Sequence, residues 1–238
     1  MTRGRIVDGA AFDLVARAAT LVSGRTLSIL IFHRVHSDQD FLFPDEMYAK
    51  RFDCLLGGLT KSWYILPLAT AIDKLRAGTL GSRCLSITFD DGYADNATVA
   101  APILKRHGVS ATVFITSGYL GGGRMWNDTV IEAIRGTEIS ALNLSFMDGN
   151  SLKLSNVMDR QQAIAKIIGN IKHLPGAERL AASEEVALAC RVRLPDNLMM
   201  RPEQVRALAA SGIDVGAHTV THPILATLPD DAARYEIS

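Results

Sequence analysis

The chain has 238 residues, 48% of them hydrophobic and 21% charged, which is enough for one sizeable globular core. Twenty-five basic residues balance twenty-five acidic ones, so the sequence shows no basic excess for nucleic acid and no acidic tail. The three cysteines, Cys54, Cys84 and Cys190, are widely spaced without a CxxC. That argues against a disulfide framework or thiolate zinc site, and for small buried hydrophobes in a reducing compartment.

At the N-terminus, Asp8, Asp13 and Arg17 interrupt every apolar stretch. A signal peptide needs roughly 7–15 unbroken apolar residues and a membrane span about 20. The chain as encoded therefore reads as cytoplasmic, without an integral membrane segment; peripheral work at the inner membrane is compatible with this. Apolar spacing from Ile6 to Val22 predicts an amphipathic helix, so residues 1–26 read as a helical extension.

"LSILIFH" (Leu27–His33) predicts a buried strand. A helix is expected after Pro44, through "DEMYAKRFDCLLGGL", with acids in its first turn. "WYILP" predicts a short strand, and "LATAIDKLRAG" a helix ended by Gly78. "CLSITF" predicts a strand, "NATVAAPILKRHG" a helix with basic residues in its last turn and Gly108 beyond, and "ATVFITS" a further strand. The pattern then changes. Residues 121–197 read as a mostly helical insertion, too short and strandless to hold its own core. Helices are expected over Met158–Ile171 and Ala177–Arg191. The α/β pattern resumes with "RPEQVRALAASG", opened by Pro202 and closed by Gly212, and the strand "IDVGAH". A last helix starts near Pro229.

Alternating strands and helices predict a parallel sheet, either doubly wound or a barrel, with chemistry at the carboxyl ends of the strands. "TFDDG" places Asp90 and Asp91 at such an end. Two adjacent carboxylates repel each other, and neither suits a core. "GAHTVTHP" places His218 and His222 after another strand, where Pro223 disfavours a long helix. Two imidazoles and one carboxylate make a three-ligand site with an open position for water. The second acid is then free to act as a base on that water. The plainer alternative is a pair of solvated or capping acids.

"TFDDG" followed by "HTVTH" resembles the two leading motifs of the polysaccharide deacetylase family, the NodB-homology domain of the carbohydrate esterases. The resemblance covers residues 27–238 and implies a distorted (β/α) barrel of fewer than eight strands. It implies Asp90 as catalytic base. It assigns Asp91, His218 and His222 to a divalent metal, usually zinc, and Thr219 to shaping the loop by hydrogen bonding. It also implies N-deacetylation of an N-acetylated poly- or oligosaccharide. "LSILIFHRV" resembles the context of the catalytic-acid histidine in the circularly permuted, poly-N-acetylglucosamine deacetylase-like branch. This points to His33 as general acid, with His36 second. His107 reads as structural, at a helix C-terminus. The family's later proline–aromatic motif and closing strands have no counterpart, so the implied barrel is incomplete at its C-terminus.

"RMWND" supplies Trp126, Asn127 and Asp128. They either contact a sugar or cap the next helix while Trp126 covers the insertion. Tyr93 offers a backbone N–H to an oxyanion. "LMM" (Leu198–Met200) lines a groove or fills core. The missing export signal, together with the resemblance, hints at an exopolysaccharide precursor as substrate. Two other readings stand beside this one: hydrolysis of a small amide or imide, and an inactive remnant or carbohydrate-binding domain.

Overall fold

The computed structural model describes residues 26–147, 149 and 151–238. The expected N-terminal helix over Ile6–Val22 lies outside the described residues. Five parallel strands form the main sheet: β1 (Leu27–Phe32), β2 (Tyr64–Ile65), β3 (Cys84–Phe89), β4 (Thr112–Ile115) and β7 (Asp214–Ala217). β3 is central. β1 pairs with its whole length on one side, while β2 and then β4 share the other, and β7 follows β4. Parallel strands put every carboxyl end on one edge, so the segments beginning at His33, Asp90, Thr116 and His218 gather there.

β3 is buried along all six residues. β1 is not, contrary to expectation: Ile29 is 45% and Ile31 61% exposed. The reason is topological. Among the described residues β1 has one neighbour strand, and only its Leu30–Phe32 face is packed by the main core. β7 is likewise an edge, so among the described residues the sheet is open.

Helices α1 (Ala49–Ser62), α3 (Ala101–His107) and α7 (Pro202–Ala210) cover the packed face, while α2 (Leu68–Arg76) seals a smaller cluster with Leu80 and Cys84. Phe32, Phe52 and Phe89 meet with ring centroids 5.4–5.9 Å apart. Phe52→Ala should therefore destabilise the fold by about 3–5 kcal/mol in urea unfolding. α1 starts at Ala49, later than expected and without acids in its first turn. The preceding residues are otherwise engaged: His36 N–H donates to Met47 O, and Ala49 N–H to His36 O. The "NATVA" stretch, Asn96–Ala100, is a π-type turn leading into α3, and Gly108 ends α3 at φ 63°.

The insertion departs from its expected description. It carries α4 (Trp126–Gly136), an antiparallel pair of β5 (Ala141–Leu142) and β6 (Leu152–Lys153), α5 (Val157–Ile171) and α6 (Gly176–Cys190). These bury their own cluster, including Val130, Ile134, Leu152, Ile164, Ile167 and Val186, with Leu42 from outside. Three helices suffice for a core because each contributes an apolar stripe to a common centre. Gly123 N–H donates to Asp196 O and Leu198 N–H to Gly123 O, tying the entrance of the insertion to its exit. Met199 and Met200 are buried, which is the core-filling alternative for "LMM".

Candidate active site

After β3 the chain turns over two left-handed residues, Asp91 (φ 75°) and Gly92 (φ 84°). Gly92 is needed for space as well as conformation: a Cβ would meet Ile115 Cγ2 at 3.1 Å and Ile115 Cα at 3.3 Å. The turn separates the two acids. Asp90 still donates its N–H to Phe32 O and is half-buried. Asp91 is 5% exposed, and its Oδ1 is buried without a hydrogen-bond partner.

After β7 comes a tight loop, not a helix. Thr219 (φ 65°) and His222 (φ 55°) are left-handed, and Thr219 Oγ1 accepts the His222 N–H at 3.0 Å. The imidazoles converge on Asp91. His222 Nε2 lies 3.2 Å and His218 Nε2 3.5 Å from Asp91 Oδ1, without hydrogen-bond geometry. The three ligand atoms all lie within 4.8 Å of one another.

This set fits a divalent cation. Tetrahedral ligands at about 2.0–2.1 Å from zinc stand about 3.4 Å from each other. A nearly buried carboxylate oxygen without a hydrogen bond is costly unless a cation meets it. Burial lowers the His222 pKa; Asp91 opposes this, while the His218 and His33 charges add to it. The resulting neutral imidazole is the form that ligates.

His33 follows β1, and its carbonyl accepts the Asn96 side-chain N–H at 2.9 Å. With Asp91, Tyr93, Asn127 and Asp128 it lines a cavity of about 430 Å³ beside the cluster. Arg34 ion-pairs with Asp95 at 2.8 Å and lies 4.7 Å over the Tyr93 ring. Arg34 stands beside His33 in "HRV", but nothing in the sequence pairs it with Asp95; the fold brings them together.

The "RMWND" residues separate. Asn127 is half-buried at the cavity. Trp126 packs against the insertion cluster, with the Arg179 guanidinium 5.1 Å over its ring. Asp128 is 3% exposed, accepts the Met125 N–H at 2.9 Å as an N-terminal cap of α4, and accepts the Tyr93 hydroxyl. Burial pushes its carboxyl up to about 6 from the ordinary 3.8, against the Met125 amide and Arg34. A carboxyl raised on folding favours the fold at low pH, and that advantage is lost as pH rises through its folded value. Stability should therefore fall by about 2 kcal/mol between roughly pH 4 and pH 6 from this group alone. Asp128→Asn should flatten that slope in urea unfolding at pH 4 and pH 7.

Two other features compete less well. His36, Asp40 and Glu46 also lie within 4.8 Å of one another. Yet Asp40 is taken by Arg135 at 2.6 Å and by two backbone amides, and His36 by Glu46 at 2.6 Å. A second hollow, about 810 Å³ between α3 and α7, is lined mainly by small and apolar residues and lies away from the carboxyl ends. His107 bonds Asp53 on α1 at 2.9 Å, in keeping with its structural reading.

Fold and site together define an α/β protein with an open carboxylate–imidazole cluster at the carboxyl edge of a parallel sheet. The chain belongs to the polysaccharide deacetylase family, whose model matches residues 77–238. YxkH of Bacillus subtilis (strain 168) is 25% identical over 151 residues, covering 62% of this chain and 53% of YxkH. The chain thus spans about half the length of this curated relative. Streptococcus pyogenes deacetylase PplD, solved in complex with acetate, superposes with a TM-score of 0.53 at 17% identity. That likeness covers 90% of this chain and 66% of PplD, and it shows the distorted (β/α) barrel fold. No helix among the described residues is long and apolar enough to cross a membrane.

Proposed function

We propose that the chain is a metal-dependent N-deacetylase acting on an N-acetylated amino sugar within a poly- or oligosaccharide. The observation that carries this is the convergence of Asp91, His218 and His222, with the Asp91 Oδ1 left unpartnered, in a member of this family. Asp91 Oδ1 and the two Nε2 atoms would hold the cation, zinc being the ion of choice for this donor set. When bound, the ion supplies electrophilic polarisation of an amide carbonyl and lowers the pKa of water.

Asp90 removes the proton of the attacking water. Its separation from Asp91 by the left-handed turn leaves its carboxylate outside the three-atom cluster and free for that role. His33 protonates the departing amine. The Tyr93 N–H, just beyond the turn, assists the oxyanion, and the Tyr93 side chain is braced by Arg34 and Asp128. Asn127, on the cavity wall, is assigned to the sugar side; Asp128 lines the same cavity but is already engaged by Tyr93 and Met125, and Trp126 packs on the helical cluster instead. Acetate, the ligand in the PplD complex, is the product expected here.

The test is acetate release from N-acetylglucosamine oligomers with zinc supplied and then chelated. Release that stops on chelation and resumes with zinc supports the reading. Zinc bound without acetate release would redirect it to small amides, which also fit a 430 Å³ cavity.

A further inference from the structure

The loop from His218 to His222 is poorly suited to standing alone. Two of its residues are left-handed without being glycine, which surrounding structure must enforce. One side of the loop is held through its carbonyls. Thr116 Oγ1 donates to His218 O, Ser117 N–H to Thr219 O, and Gly118 N–H to Val220 O at 2.8 Å. Gly118 permits this approach, since a Cβ there would lie 2.5 Å from Val220 O.

The other side presents two successive N–H groups, and their acceptor comes from α8 (Asp230–Ile237). Glu236 Oε2 accepts Val220 N–H at 2.8 Å and Thr221 N–H at 2.7 Å. Its Oε1 accepts the Thr221 hydroxyl at 2.5 Å. Glu236 is 7% exposed, while its neighbours Tyr235 and Ile237 are 65% and 68% exposed. Among the described residues no lysine or arginine pairs with it. Consecutive amides forming a small anion site satisfy it instead. Burial raises its pKa, but the bonds from Thr221 and Val220 outweigh this and leave it below the ordinary glutamate value.

We infer that Glu236 is the positioning residue of the two-histidine loop, holding His218 and His222 against Asp91. The inference rests on the proposed metal reading of that cluster. Glu236 touches neither ligand. It acts through the two residues between them, as outer-shell partners orient metal ligands elsewhere.

The test uses the full chain with Glu236→Ala, Glu236→Gln and, as a control on the exposed side of the same helix, Arg234→Ala. Backbone amide exchange at Val220 and Thr221 and cobalt(II) affinity with its visible spectrum are read on each. E236A should lose protection at both amides, weaken cobalt binding by about 10- to 100-fold and alter the spectrum. E236Q keeps an oxygen for both amides and should recover most of each signal. R234A should match the parent. Parent-like amide exchange in E236A would overturn the inference. Equal losses in R234A would overturn it too, because the helix as a whole would then hold the loop. If E236A does not fold, Thr221→Val, which removes the hydroxyl bond to Oε1, should show partial loss of amide protection and of cobalt affinity, and parent-like values of both there would overturn the inference. Cobalt binding unaffected in His218→Ala would sink the metal reading alone, since amide exchange still judges Glu236.

Discussion

His218→Ala is expected to abolish tight divalent-metal binding and to reduce acetate release by about a thousandfold or more. The cluster has three donor atoms, two of them imidazole nitrogens on one five-residue loop. Removing one leaves a carboxylate and a single imidazole, too few to close a structural or catalytic site of the tetrahedral kind. The electrophilic assistance so lost is worth several kcal/mol, and each 1.36 kcal/mol is tenfold in rate. The fold should survive. The His218 side chain is 34% exposed, and the loop's tethers to Thr116, Gly118 and Glu236 run through backbone groups. Metal analysis beside far-UV circular dichroism checks both halves. A folded H218A protein that keeps stoichiometric metal and parent rates would remove the site from consideration.

Asp90→Asn should behave differently, and the contrast is the sharper test. Asp90 precedes the left-handed turn and stands outside the donor set, so metal content should equal that of the parent. Asparagine keeps the shape and the backbone bond to Phe32 O but cannot accept a proton. A positioned general base contributes typically about 10²–10⁴-fold, so kcat should fall by that much with little change in KM. If D90N lost metal instead, the two acids would have exchanged roles. If it kept parent rates, the base would lie elsewhere on the cavity wall, and His33 would be examined next.

The two predictions differ because one residue step separates a buried acid from a half-buried one. That step was visible in "TFDDG", where a glycine after two acids signals a turn. Its geometry was not, because the left-handed residues Asp91 and Gly92 are set by the end of another strand: the Thr116 N–H, just past β4, donates to Asp91 O, and Ile115 leaves no room for a Cβ on Gly92. Glu236 is the clearest omission. An acid near the end of a short helix reads as solvated charge, and nothing nearby in sequence reveals that its partners lie fifteen and sixteen residues earlier. The same holds for Arg34 and Asp95, sixty-one residues apart. The insertion was misjudged for a related reason: helical stripes were legible one by one, but their shared core depended on which faces met.

The sequence by itself determined the strand–helix alternation, the two motifs, and the placement of acids and histidines at strand ends. Each is a local property, set by side-chain periodicity, proline and glycine, and the direction of the chain. Only the tertiary structure decided that Asp91, His218 and His222 share one point, that β1 is an edge with Ile29 and Ile31 uncovered, and that α8 clamps the histidine loop. These are long-range pairings. They depend on which surfaces the sheet order brings together, and no window of the chain contains both partners.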